Sequence, residues 1–259
     1  MTLLHMLSLP VDLRELRRWS ASCGLEADEG RALHHLLCET FGKGVAQPFR
    51  LMPGRGGACL AHLYSYTSAS QQALRQTAAE TGLPESARIF DMAGLATKAM
   101  PETWTPGRRL AFDVRLRPVR RLNNDLQGWS RETARIKTTK PATPLKAGSE
   151  VDAFLVARLR ANPRGLPETG GPSREEIYRD WFRERLAGAA TVDDAGTRLV
   201  SHERSIVLRG GQRIEGPDAI LHGALVIENP DLFARLLARG AGRHTAYGYG
   251  MMLLRPEPR

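Results

Sequence analysis

The amino-acid sequence predicts an α+β protein made of two consecutive βαββαβ units. Apolar strand patterns alternate with amphipathic helical patterns in a similar order in both halves of the chain. Residues 101–107 are rich in Pro, Thr and Gly and predict a linker between the halves. A chain of 259 residues with 42% hydrophobic residues can form the two cores that this arrangement needs. We therefore expect one domain over residues 1–103 and a second over residues 104–259.

The first half contains strand and helix patterns bounded by capping and breaking residues. The predicted elements are a strand at 2–9, a helix from Asp12 to about 21, a helix at 29–41, a hairpin of strands at 48–52 and 58–66, a helix capped by Ser68 that ends near 81, and a strand at 88–92. Asp12 and Ser68 have side-chain oxygens that can cap a helix, and Gly42 ends the second helix. This order is the ferredoxin-like arrangement.

The second half repeats this order of elements without detectable sequence repetition. The predicted elements are a strand at 108–117, a helix at 174–186, strands near 200–209 and 220–228, a helix at 230–238 and a last strand at 249–254. An insertion at about 122–172 is longer than a strand-to-helix connection needs, and it contains a predicted helix at 150–161. Loops of this length usually have a function or are disordered.

The chain is strongly basic, and its positive charge is concentrated in one segment. The formal net charge is +9, and only five of the 37 basic residues are lysine. Residues 104–146 include eleven basic and three acidic residues, so this segment carries nearly all of the excess positive charge of the chain. Such a patch is typical of a protein that binds a polyanion, and arginine offers a planar fork of donors for phosphate. A solvated basic face without a partner is the alternative.

Cysteine spacing and apolar runs argue against several classes of protein. Cys23, Cys38 and Cys59 have no spacing typical of a zinc site, and their small number suits a reducing compartment. No signal peptide is visible, and no apolar run reaches about 18 residues. No phosphate-binding P-loop, serine-hydrolase or zinc-protease motif occurs. We expect a cytoplasmic protein with no metal, no cofactor and no membrane contact.

The most distinctive motif is RGAGRHTAYGYG at residues 239–250, which we call the terminal loop. It lies between the predicted helix at 230–238 and the predicted last strand. Glycine permits a positive φ and a close approach of the backbone to a ligand, and free N–H groups beside cations favour phosphate. The simpler alternative is a flexible connection, which needs only one or two glycines.

The terminal loop resembles the glycine-rich loop of the RAMP superfamily, most closely that of the CRISPR repeat-RNA-processing endoribonucleases of the CasE (type I-E) kind. Residues 220–230 resemble the penultimate strand of that family and the entry to its last helix, and residues 175–186 resemble its middle helix. Residues 108–120 resemble a basic strand of the family, without its Asn. The resemblance implies two tandem ferredoxin-like domains of RAMP type, CRISPR repeat RNA as substrate, and other subunits of a CRISPR effector complex as partners.

Cleavage of RNA without a metal needs a base, an acid and donors for the charge that develops on the phosphate. Histidine suits the proton transfers because its pKa lies near neutrality. The resemblance places a catalytic histidine on the first helix of the N-terminal domain, followed by Leu three residues later and Phe seven residues later. His34 has this spacing, with Leu37 and Phe41, whereas His35 points about 100° away around the helix. The alternative is that His34 is an ordinary residue at the edge of the core.

Arg31 occupies the place, one turn before His34, where some family members have a tyrosine. We expect its guanidinium to stabilise the transition state in place of a hydroxyl. A second interpretation gives catalysis to arginines altogether, as is thought of some processing enzymes associated with type IV CRISPR systems. His244 in the terminal loop is a further candidate acid or base, ranked behind His34.

The candidate RNA-binding residues lie in the basic segment and in the terminal loop. They are Arg108, Arg115, Arg117, Arg120, Arg121, Arg131, Lys137, Lys140, Arg239, Gly240, Gly242, Arg243, His244 and Gly248. We expect residues 131–140 to become ordered, at least in part, on RNA; an insertion without a role is the alternative.

These observations and the resemblance predict a metal-independent endoribonuclease. It would bind the hairpin of CRISPR repeat RNA and cleave at the 3′ foot of the stem by 2′-OH attack, leaving 5′-OH and 2′,3′-cyclic phosphate ends, and would keep the mature RNA in an effector complex. Two alternatives remain open: a non-catalytic RNA-binding RAMP subunit of a CRISPR ribonucleoprotein, and a ferredoxin-like RNA-binding module with no CRISPR link.

Overall fold

Two antiparallel sheets with the same internal strand order organise the protein. The computed structural model describes residues 3–54, 59–126, 144–161, 171–209 and 212–256. In each sheet the last strand pairs with the first, the first with the third, and the third with the second. This shared order confirms the predicted fold of two tandem ferredoxin-like units.

The N-terminal sheet has the order β2-β3-β1-β4. Its strands are β1 (His5–Asp12), β2 (Phe49–Pro53), β3 (Leu60–Thr67) and β4 (Ala96–Ala99), and its helices are α1 (Leu13–Ser22), α2 (Glu29–Phe41), α3 (Gln71–Thr81) and α4 (Pro84–Ile89). Buried side chains of all four helices pack with those of β1, β2 and β3 into one apolar core. Asp12 caps α1 as predicted, because its Oδ1 accepts hydrogen bonds from the N–H groups of Arg14 and Glu15.

Two predictions for this half were wrong. Of the segment predicted as a strand at 88–92, the first two residues end α4, and Phe90 makes only an isolated antiparallel bridge to Val11 of β1. α4 has a proline at its first turn, where the missing N–H costs nothing. The strand that completes the sheet is β4, four residues farther along the chain, and it pairs with β1. The cap of α3 is Ser70 rather than Ser68, since the Ser70 hydroxyl accepts from the Ala73 N–H at 3.2 Å.

The C-terminal sheet has the order β11-β5-β10, with β9 and β8 both paired to β10. Its elements are β5 (Arg109–Leu116), β8 (Ala190–Val192), β9 (Arg198–Arg209), β10 (Gln212–Ile227) and β11 (Met252–Pro256), with α6 (Arg174–Leu186) and α7 (Pro230–Arg239). β10 begins eight residues before the strand predicted at 220–228, because it extends into a long hairpin with β9. β11 begins three residues later than predicted, after a 3₁₀ turn at Thr245–Tyr247.

A small third sheet lies beside this one. It pairs β6 (Val119–Arg121) with β7 (Glu150–Asp152). The helix predicted at 150–161 therefore begins at Ala153, as α5 (Ala153–Ala161). Residues 150–152, which were predicted to start that helix, form strand β7. The insertion residues 127–143 and 162–170 lie outside the described part of the chain, as do the predicted RNA contacts Arg131, Lys137 and Lys140.

The two sheets contact each other through buried polar groups. The Tyr66 hydroxyl of β3 donates to the Met252 carbonyl of β11 at 2.9 Å. Arg50 of β2, with 3% of its side chain exposed, forms an ion pair with Asp113 of β5. These contacts connect the N-terminal sheet to the C-terminal sheet. The domain boundary between residues 103 and 104 stays a prediction.

We expect Asp113→Asn to lower the free energy of unfolding by about 3 kcal/mol, because it leaves the buried Arg50 guanidinium without its counter-ion. Urea denaturation measures the change. The matched control is Glu184→Gln, which removes the partner of Arg120 from a surface ion pair and should cost less than about 1 kcal/mol. Equal losses in the two variants would contradict the structural role of the Arg50–Asp113 pair.

Candidate functional site

The N-terminal end of α2 determines where His34 lies. Asp28 caps the helix, since its Oδ1 accepts a hydrogen bond from the Arg31 N–H at 2.9 Å. Leu33, Leu36 and Leu37 form the buried stripe of the helix. His34 lies at the edge of this stripe and is half-buried, whereas the neighbouring His35 is exposed. The two histidines therefore occupy different environments, as their spacing predicted.

The terminal loop brings a tyrosine to His34. The rings of His34 and Tyr247 meet edge to face, with their centroids 5.2 Å apart. Among the described residues, the Tyr247 hydroxyl has no hydrogen-bond partner. Sequence reasoning did not select Tyr247, because it lies more than two hundred residues from His34 along the chain.

This approach of loop and helix requires a glycine on α2. A Cβ on Gly30 would come within 2.3 Å of the Tyr247 carbonyl oxygen, which is far inside contact distance. Gly30 therefore serves close packing rather than backbone freedom, and it lets the 3₁₀ turn at Thr245–Tyr247 rest on the first turn of α2.

The tip of the β9–β10 hairpin is fastened to the same helix end. The second carboxylate oxygen of Asp28 accepts a hydrogen bond from the Leu208 N–H at 2.8 Å. The Arg31 side chain donates from Nη1 to the Leu208 carbonyl at 2.9 Å. One terminal nitrogen of Arg31, one helical turn before His34, is therefore bonded to the hairpin.

The environment of His34 favours the neutral imidazole. Partial burial lowers the pKa of His34 below its ordinary value, and the positive charges near it on His35, Lys43 and Arg31 lower the pKa further. The Cys38 Sγ lies 3.7 Å from Nδ1. A neutral imidazole near pH 7 can accept a proton from a hydroxyl, and Arg31 can supply positive charge one helical turn away.

His244 lies on the other side of the terminal loop, in a separate polar group. It has a left-handed backbone with φ of 63°, and its Nε2 lies 2.8 Å from Glu150 Oε2. Arg243 contacts the second oxygen of the same carboxylate. Burial raises the pKa of Glu150, but the hydrogen bonds from His244 and Arg243 outweigh it and hold the pKa below its usual value.

The glycines of the terminal loop lie against protein rather than in open space. Gly242 has φ of 94°, and a Cβ there would come within 2.6 Å of the Trp181 ring. Gly240 and Gly248 also have positive φ and are buried. These three glycines shape the turn that presents Arg243, His244 and Tyr247, and Arg239 stands exposed at its start.

The predicted basic strand divides into buried and exposed arginines. Arg115 donates two hydrogen bonds to Asp218, at 2.9 and 2.5 Å. Arg117 is 2% exposed and bonds to the Ser205 hydroxyl at 2.7 Å. Arg120 pairs with Glu184 at 2.6 Å on the surface. Arg108 and Arg121 are exposed, so they are the members of this strand segment with the freest access to a polyanion.

Within the described ranges, no cluster of His, Cys, Asp or Glu has a geometry that could hold a metal ion. No described helix combines the length and the apolarity that a bilayer crossing requires.

Comparison with known families and structures identifies the architecture. The family model described as CRISPR associated protein matches residues 4–256. A structure of the CRISPR endoribonuclease Cse3 bound to a 19-nucleotide RNA aligns with a TM-score of 0.62 and 18% identity, covering 98% of this chain and all of the other.

Two further structures align over nearly the same length. One is Thermus thermophilus Cse3 bound to an RNA that represents a pre-cleavage complex, with a TM-score of 0.61, 16% identity, and coverage of 98% of this chain and 100% of that one. The other is Cas6e from Escherichia coli K-12, with a TM-score of 0.54, 17% identity, and coverage of 97% and 99%. Comparison with curated protein sequences gives no match.

We expect Gly30→Ala to move the 3₁₀ turn away from α2, because the new methyl group overlaps the Tyr247 carbonyl. Alanine in a helix is ordinarily more stable than glycine by about 1 kcal/mol, yet here overpacking should make the protein less stable by about 1–3 kcal/mol. The NMR shifts of the His34 ring protons, which sense the Tyr247 ring, should change with it. Glu29→Ala, at an exposed position of the same helical turn, is the control; it should change the stability by less than about 1 kcal/mol and leave the His34 shifts unchanged. A Gly30→Ala protein with wild-type stability and His34 shifts would contradict the packing.

Proposed function

Because the chain belongs to the CRISPR-associated protein family whose model spans residues 4–256, we propose that it is an endoribonuclease of CRISPR repeat RNA. It binds the hairpin of the repeat and cleaves the precursor at the 3′ foot of the stem. The observation that carries this proposal is the position of His34, half-buried at the junction of α2, the terminal loop and the hairpin tip, with Arg31 and Tyr247 beside it. The fold shared with RNA-bound Cse3 supports it.

The proposed reaction needs no metal. Neutral His34 takes the proton of the 2′-OH, and the 2′ oxygen attacks the adjacent phosphorus. The bond from phosphorus to the 5′ oxygen breaks, and that oxygen receives a proton from an acid, which yields a 2′,3′-cyclic phosphate and a 5′-OH. Arg31 faces the negative charge that builds on the phosphate, where a fixed cation contributes most.

Arginines provide the RNA-binding surface in this proposal. Arg108 and Arg121 on the C-terminal half, with Arg239 and Arg243 of the terminal loop, are exposed and contact the phosphates of the stem. Arg115 and Arg117 support this surface without contacting RNA, because their hydrogen bonds hold the end of β5 to the β9–β10 hairpin. The protein retains the mature RNA and joins other subunits of a CRISPR effector complex through it.

A specific contact favours a second candidate, a non-catalytic RNA-binding subunit. Nη1 of Arg31 donates to the Leu208 carbonyl, so part of the guanidinium serves the structure rather than a phosphate. A subunit that only binds RNA would keep this contact and would have no need for a neutral His34.

We expect His34→Ala to lower the rate of hairpin cleavage by about 10²–10⁴-fold, the usual contribution of a general acid or base, with RNA affinity unchanged. Single-turnover cleavage of a repeat hairpin in EDTA, with both new ends mapped, measures this. His35→Ala is the control: it removes an exposed histidine and one of the charges that lower the pKa of His34, so it should shift the pH dependence of cleavage without the large loss of rate. If His34→Ala is fully active and Arg31→Ala is inactive, the catalytic role belongs to Arg31 and not to His34. Binding without cleavage by the wild type would favour the non-catalytic subunit.

A further inference from the structure

A cavity opens beside Tyr247, and Asp28 at the start of α2 is among the residues that line it. Its volume is about 350 Å³, and it lies between the terminal loop, the β9–β10 hairpin and strand β6. A volume at the lower end of the range of ligand sites suits a small group rather than a folded partner. The reaction proposed above does not use this cavity.

The chemistry of the walls fits a flat, neutral group with polar edges. Val119, Val207 and Ile214 supply apolar surface, and Tyr247 supplies an aromatic ring. Nucleobases that leave a helix are held in this manner, between apolar or aromatic side chains and hydrogen-bonding groups at their edges.

The charges of the cavity argue against a phosphate as its occupant. The lining carboxylates of Asp28, Glu150 and Glu215 offset the cations of Arg117 and Arg243. Each carboxylate oxygen of Asp28 and Glu150 moreover already accepts a hydrogen bond from a protein group. A polyanion backbone is attracted by an excess of positive charge, which this lining does not have.

One polar side chain in the lining can accept a hydrogen bond from an occupant. The Gln47 amide nitrogen donates to the Thr245 hydroxyl at 3.2 Å. Its carbonyl oxygen has no partner among the described residues, and Gln47 lines the cavity. The amino or imino groups on the edge of a base are donors of the kind that this oxygen needs.

Tyr247 connects the cavity to His34. Tyr247 lines the cavity, and its ring contacts the His34 ring. We propose that the cavity binds the base of one unpaired nucleotide next to the bond that is cleaved, so that Tyr247 separates the base from His34 and the sugar-phosphate passes beside the imidazole. This inference rests on the proposed function, because it assigns a specificity site to the same reaction.

The test uses the full chain and a repeat hairpin in which the nucleotide on either side of the cleaved bond is made abasic, one at a time. For the wild type, one of the two abasic RNAs should show kcat/KM reduced by about tenfold or more, in line with the loss of a stacked base. An abasic site in the hairpin loop is the RNA control and should have no effect.

Cavity-filling variants decide whether that base enters this cavity. Ile214→Trp, and independently Val207→Phe, should lower kcat/KM for the intact RNA to the level of the sensitive abasic RNA, and should not lower it further for the abasic RNA. Val200→Trp is the matched control, since Val200 is 54% exposed on the same hairpin, and it should retain the full difference between the RNAs.

Each outcome supports or overturns the inference. Cleavage that is insensitive to both abasic positions overturns it and leaves the proposed function intact. Filled variants that still distinguish the intact from the abasic RNA, or that slow both RNAs equally, also overturn it. A wild-type protein that cleaves no repeat RNA overturns the proposed function and the inference together.

Discussion

The carboxylate of Asp28 is the contact on which the rest of the site depends. One oxygen accepts a hydrogen bond from the Arg31 N–H in the first turn of α2, and the other accepts one from the Leu208 N–H near the hairpin tip. Arg31 completes the loop of hydrogen bonds by donating to the Leu208 carbonyl. Asp28 is only 5% exposed, and a buried carboxylate is stable only with such hydrogen-bond partners. The helix and the hairpin must therefore form this junction together. His34, one turn farther along α2, is then positioned against both halves of the molecule.

The positive charge of this chain has two separate uses. Arg50 and Arg117 are buried and Arg115 is partly buried. All three are bonded to protein groups, and their rigid forks join strands of different sheets or neighbouring strands of one sheet. Other arginines, such as Arg108 and Arg121, remain exposed. The sequence alone shows only that basic residues cluster. The pairing of Arg115 with Asp218 joins residues about a hundred positions apart, so the division into structural and exposed arginines appears only in three dimensions.

Local signals explain how much of the fold could be predicted. The bounds of α2 and α6 agree with prediction because each helix has a side-chain cap; α6 begins with a complete capping box at Ser173. The strand predicted at 88–92 failed because apolar residues in a short run do not distinguish helix from strand. His34 and Arg31 could be named from spacing on one helix. Tyr247, the cavity and the hairpin tip could not, since each depends on contacts between elements that are distant in the chain.

The junction also explains why a glycine at residue 30 matters as much as the polar groups around it. Asp28 fixes the helix to the hairpin, and Gly30 lets the Tyr247 backbone lie on that helix. The His34 side chain is thereby covered on one side by Tyr247, and this partial burial is the first cause of its lowered pKa. Packing between the two halves thus contributes to the tendency of His34 to be neutral, and a change that separates the terminal loop from α2 should raise the pKa of His34 toward its ordinary value.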